Sequence, residues 1–159
     1  MSNFVRRLQR VGAEGSTIVV PEEPSPTGRQ IYLAPPSGNF SVGENIVVQV
    51  RIDSEDQIIS AYHANISYPQ GRLTRVSTSL DGSPFPTTMQ NVDDGGLVRI
   101  GAGVMGAGNE VSGDVLVATI TFTVTAAGSA PLVFESGTGF AYAGTDYCEY
   151  RNGAEYTLA

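Results

Sequence analysis

Few side chains in this sequence could do chemistry. His63 is the single histidine and Cys148 the single cysteine. Hydrolysis by a Ser-His-Asp arrangement needs a histidine held by a buried carboxylate. His63 stands between Ala61 and Asn65 on an alternating run with no acid close in sequence. A solvated strand histidine is therefore expected. Cys148 lacks histidine company and reads as a small, half-buried strand residue; a lone cysteine also leaves no intramolecular disulfide. No HExxH, CxxC or Walker pattern occurs. Gly101-Ala102-Gly103 and Gly106-Ala107-Gly108 are glycine-rich, but no helical pattern follows to aim amides at an anion. Asp53-Ser54-Glu55-Asp56 and Asp93-Asp94 lack the DxDxDG spacing of a calcium loop. Solvated turn acids are expected there, with calcium at Asp53, Glu55 and Asp56 the alternative. Asn65-Ile66-Ser67 matches a glycosylation sequon in mid-strand and is read as chance. The expectation is no catalytic residue, no metal, no cofactor and no enzyme.

The elements that must position these residues are strands. In Val115–Thr125, Leu116, Ala118, Ile120, Phe122 and Val124 alternate with Val117, Thr119, Thr121, Thr123 and Thr125. A period of two gives one apolar face, read as core, and one threonine ladder. β-Branched side chains suit that pleated surface better than a helix. Ile46, Val48, Val50 and Ile52 form a second one-sided strand, and Tyr62, Ala64, Ile66 and Tyr68 a third. Leu73–Leu80 is less regular, with a bulge expected near Arg75. Thr87–Val92 reads as an edge strand, joined through Asp93-Asp94-Gly95-Gly96 to Val98, Ile100, Ala102 and Val104. Leu132–Phe134 follows. Asn152-Gly153 is a type I′ pair and predicts a C-terminal hairpin matching Arg151 with Ala154, Glu149 with Tyr156 and Tyr147 with Leu158. About nine strands at this spacing make an all-β sandwich.

Composition divides the chain into an arm, residues 1–30, and a body, 31–159. Pro21–Gly28 is proline-rich and reads as extended. Ser16–Val20 could add a short strand. Phe4, Val5 and Leu8 could share one face of a helical turn that orders only against another surface. Residues 1–13 carry Arg6, Arg7 and Arg10 and no acid, whereas the whole chain has a net charge of −7. That balance excludes nucleic acid as the main partner. No stretch approaches the roughly 18 apolar residues of a membrane span. The N-terminus has positive charge without an apolar region behind it, so no signal peptide is expected. A cell-surface place would then require processing or fusion; otherwise a virion or an intracellular assembly is the setting.

Three runs taken together resemble the cohesin domain family. They are Val42-Gly43-Glu44 opening Ser41–Asp53, Ile66-Ser67-Tyr68-Pro69 with Leu73, and Leu116-Ala118-Ile120-Phe122 with Gly128. The family's usual Asp between Tyr and Pro is absent, since Pro69 follows Tyr68 directly. The resemblance implies a nine-stranded jelly-roll sandwich, related in architecture to carbohydrate-binding modules. It also implies non-catalytic recognition of a protein partner, a dockerin in cellulosomes.

On this reading the chain is a protein-interaction module with a scaffolding or attachment role. The candidate partner surface is His63, Asn65, Ser67 and Arg99, or the ladder of Thr119, Thr121 and Thr123. A structural subunit of a larger assembly, such as a virion decoration protein or surface filament, is the alternative. It would contact neighbouring subunits, as a homo-oligomer or otherwise, through Phe4, Arg6, Arg7, Leu8 and Arg10. A carbohydrate-binding module is the third reading. It would rest on Tyr142, Tyr147, Tyr150 and Tyr156, because the chain has no Trp.

Overall fold

A computed structural model describes residues 28–106 and 108–159. The arm residues Phe4, Arg6, Arg7, Leu8 and Arg10, and the Ser16–Val20 strand, lie outside the described residues. Thirteen strands follow in order: β1 (Gln30–Ala34), β2 (Ser37–Phe40), β3 (Asn45–Asp53), β4 (Ala61–Ser67), β5 (Leu73–Ser79), β6 (Thr87–Asp93), β7 (Leu97–Gly103), β8 (Asp114–Val124), β9 (Gly128–Phe134), β10 (Gly139–Tyr142), β11 (Thr145–Asp146), β12 (Tyr150–Asn152) and β13 (Ala154–Leu158). They form two sheets of a jelly-roll sandwich. One has the order β12-β1-β3-β8-β5. In the other, β6 and β7 lead to β4, whose far edge pairs with β9 at one end and β10 at the other. From there β9 continues to β13 and β2, and β10 to β11.

Period-two patterning sets which side chains fill the space between the sheets. Ile46, Val48, Val50 and Ile52 of β3 are fully buried, as are Ala64 and Ile66 of β4 and Val98, Ile100 and Ala102 of β7. Phe122 of β8 packs on Tyr68 at 5.0 Å between ring centroids. The β6–β7 hairpin turns at Gly95 and Gly96, both with positive φ, as a two-residue I′ loop requires. The expected β5 bulge falls between Arg75 and Ser77.

The strand layout departs from the sequence reading at three places. The long strand changes phase: Val50 pairs with Ala118 but Arg51 with Leu116, so Val117 is an extra residue. Beyond this bulge Val117 is buried and Leu116 turns outward. Leu116 is thus not core, and the outward threonine face begins at Thr119.

The C-terminal hairpin does not form. β12 pairs in parallel with β1 in one sheet, while β13 lies between β9 and β2 in the other. Asn152-Gly153 is therefore a crossover between sheets, and φ of Gly153 is not positive. Glycine is needed because a Cβ there would meet the Leu132 carbonyl. The I′ turn of this region is Ala143-Gly144, with φ 52° and 83°, between β10 and β11.

The strand count exceeds the expected nine through the short strands β2, β10 and β11. Between β9 and β10 the ladder is interrupted opposite Asn65. Its backbone N–H donates to Thr138 Oγ1 at 3.0 Å, and its carbonyl accepts the Glu135 N–H at 2.7 Å. Arg29 donates its backbone N–H to Glu149 Oε1 at 2.9 Å, and Gln30 is buried.

Candidate binding face

The two candidate surfaces fall on opposite sides of the sandwich. Thr119, Thr121 and Thr123 stand on the outer face of the β12-β1-β3-β8-β5 sheet, each half-buried. They are flanked by Gln49, Val47 and Asn45 of β3 and by Ser79, Ser77 and Thr74 of β5. Thr123 Oγ1 donates to Asn45 Oδ1 at 2.7 Å, so part of the ladder is satisfied within the sheet.

His63, Asn65, Ser67 and Arg99 share the outer face of the other sheet, with β4 central and β7 beside it. Cross-strand pairing sets the rows: His63 lies between Gly101 and Gly139, Asn65 beside Arg99, and Ser67 between Leu97 and Val133. The His63 ring lies across the β7 backbone. A Cβ on Gly101 would stand 2.6 Å from its Cδ2. Glycine thus lets the imidazole lie flat against the sheet. Asn65 Nδ2 donates to Ser136 O at 2.9 Å, Ser67 Oγ to Glu135 Oε2 at 2.7 Å, and Arg99 pairs with Asp94 at 3.4 Å.

Beside His63 is an open depression of about 400 Å³. Gly137, Gly139, Ala61 and Ala141 keep it shallow-walled, Met89 borders one side, and Asp146 and Arg151 the other. Those two charges satisfy each other: Arg151 Nη2 lies 3.1 Å from Asp146 Oδ2, and Arg151 Nε donates to the Thr138 carbonyl. The carboxylate also accepts the Cys148 N–H at 2.9 Å. The depression therefore presents apolar surface with its charges already paired. Three large apolar side chains are exposed on this sheet: Met89 (56 %), Val92 (46 %) and Val133 (47 %). Val92 pairs with Arg99 and so shares its face. None of Met89, Val92, Val133, Asp146 or Arg151 stands out in the sequence, because strands far apart in the chain bring Met89, Asp146 and Arg151 to His63, Val92 to Arg99 and Val133 to Ser67.

Other candidates behave as ordinary structural groups. Asp53 Oδ1 accepts the Glu55 N–H at 2.9 Å in a tight turn, where Glu55 takes φ 57°. Among the described residues, no three His, Cys, Asp or Glu side chains converge as a metal site would require. Cys148 is half-buried in the loop between β11 and β12 rather than on a strand, and burial pushes its thiol pKa up. Of the four terminal tyrosines, Tyr156 is fully buried and Tyr142 and Tyr147 partly so, with only Tyr150 exposed. They form no row on which sugar rings could stack. No described helix is long and apolar enough to cross a membrane.

The cohesin domain family model matches residues 32–153. Solved cohesin structures share the fold. The sixth cohesin of Acetivibrio cellulolyticus scaffoldin B, solved with a Cel5 dockerin, superposes with a TM-score of 0.69 at 17% identity, covering 84% of this chain and 100% of that one. CaCohA2 of Clostridium acetobutylicum gives 0.67 at 18% identity, covering 83% and 92%. A non-cellulosomal cohesin of the archaeon Archaeoglobus fulgidus gives 0.66 at 20% identity, covering 84% and 92%. No curated protein matches the chain.

Proposed function

The chain belongs to the cohesin domain family, whose members are non-catalytic binding modules, and we propose from this that it captures a dockerin-type partner on the outer face of β6, β7, β4 and β9/β10. The observation that carries the choice of face is the glycine-floored depression at His63, bordered by Met89, with Val92 and Val133 exposed on the same sheet face. An apolar centre rimmed by paired charges and satisfied polar groups is what a protein interface offers. The threonine face also exposes Val47 (56 %), but sets it among the hydroxyls of Thr119, Thr121 and Thr123, which suit contact with solvent. His63, Asn65, Ser67 and Arg99 contribute orientation, and the apolar side chains contribute desolvated contact area.

Isothermal titration of the purified domain against a panel of dockerins tests the reading. Saturable heat with at least one member is the expected result. Absence of heat with every member contradicts it.

A further inference from the structure

Strand β6 supplies Met89 and Val92 to the proposed docking face, yet it is an edge strand. Among the described residues its ladder runs to β7 alone, and it is broken by a bulge between Thr88 and Gln90. Such a strand is free to shift unless side chains hold its other side. Three side chains meet there. Tyr68 Oη donates to the Asp93 carboxylate, 2.9 Å from Oδ1 and 2.8 Å from Oδ2. Arg75 Nε lies 3.2 Å from Asp93 Oδ2. Tyr68 follows β4 and is buried against Phe122, whereas Arg75 belongs to β5 in the opposite sheet. The Asp93 and Arg75 side chains are only 22% and 24% exposed. Arg75 Nη1 donates to Thr78 Oγ1 at 3.0 Å, and Asn91 Nδ2 to the Thr78 carbonyl at 3.3 Å.

We propose that Tyr68, Asp93 and Arg75 form a clasp between the two sheets that positions β6, and that the clasp sets partner affinity without touching the partner. The proposal rests on the docking reading above for its second half only. A partly buried carboxylate held by one cation and one hydroxyl has a single favourable place, so the end of β6 is pinned. Arg75 Nε is itself buried and makes no aligned hydrogen bond, so its attraction to Asp93 is that of an ion pair. Loss of the clasp frees β6 to open, and the partner must then reorder it on docking.

The test uses Tyr68→Phe, Arg75→Met, their double variant, and Arg75→Lys, which keeps the charge. Hydrogen exchange is followed strand by strand, and affinity is measured for a dockerin that binds the unmodified domain. In the double variant, β6 amides should exchange about tenfold faster while those of β3 and β8 do not change. Affinity should fall about tenfold, and Arg75→Lys should recover most of both effects. Unchanged β6 exchange, or equal acceleration in every strand, overturns the clasp. Selective loosening of β6 with unchanged affinity overturns its role in binding. A domain that binds no dockerin contradicts the docking reading, and exchange in β6 still decides the clasp.

Discussion

The His63 imidazole rests on the backbone of Gly101, so close that a Cβ there would stand 2.6 Å from Cδ2 and 2.7 Å from Nε2. The relationship joins a residue chosen from the sequence to a glycine whose reason is visible only in the sheet. Gly101→Ala should leave the fold intact, because the obstacle is the end of a side chain that can rotate. It should lift His63 off the sheet and weaken dockerin binding about tenfold, or ~1.4 kcal/mol. Titration calorimetry with melting as a control measures both.

The crossover at Gly153 predicts a cost to folding instead. A Cβ there meets the Leu132 backbone carbonyl, which cannot rotate away. Gly153→Ala should lose about 2–3 kcal/mol in urea unfolding. Gly71→Ala is the control, since nothing lies within 4 Å of its would-be Cβ, and it should change stability by less than about 0.5 kcal/mol.

The phase change in β8 separates two adjacent residues. Val117→Ala removes fully buried methyl groups and should cost about 2 kcal/mol. Leu116→Ala should cost less than half of that, although leucine is the larger side chain. Denaturant midpoints of the two variants decide it, and the reverse order would restore Leu116 to the core.

Alkaline stability should bend at Tyr68. Burial, followed by its hydrogen bond to Asp93, pushes the phenol from 10.0 up to about 12. A raised folded value means this stabilisation is complete below pH 10 and is lost as pH rises from 10 towards 12. Unfolding measured from pH 9 to 12 should fall less steeply for Tyr68→Phe than for the unmodified domain. Burial raises Tyr62 and Tyr156 as well, so both proteins keep some slope.

The sandwich was legible in the sequence because its central strands alternate cleanly: Ile46–Ile52, Tyr62–Ile66 and Val98–Ala102 each present one apolar face. Asp94-Gly95-Gly96 was legible because two positive-φ positions demand glycine. Asn152-Gly153 misled for the same reason, since a glycine required by close approach to Leu132 has the same letter as one required by a turn. The Val117 bulge left no mark, because valine suits either face of a strand. At the candidate site, alternation along β4 gave His63, Asn65 and Ser67. Met89, Val133, Asp146 and Arg151 reach them only through pairing between distant strands, which local pattern does not encode.

Paired arginine substitutions, measured by titration with one bound dockerin, separate the two faces of the sandwich. His63→Arg places a bulky charge in the depression between Gly101 and Gly139, whereas Thr121→Arg does the same on the opposite sheet between Val47 and Ser77. His63→Arg should weaken binding by about a hundredfold, ~2.7 kcal/mol, and Thr121→Arg should bind as the unmodified domain does. Binding lost in Thr121→Arg and kept in His63→Arg would contradict docking on the His63 face.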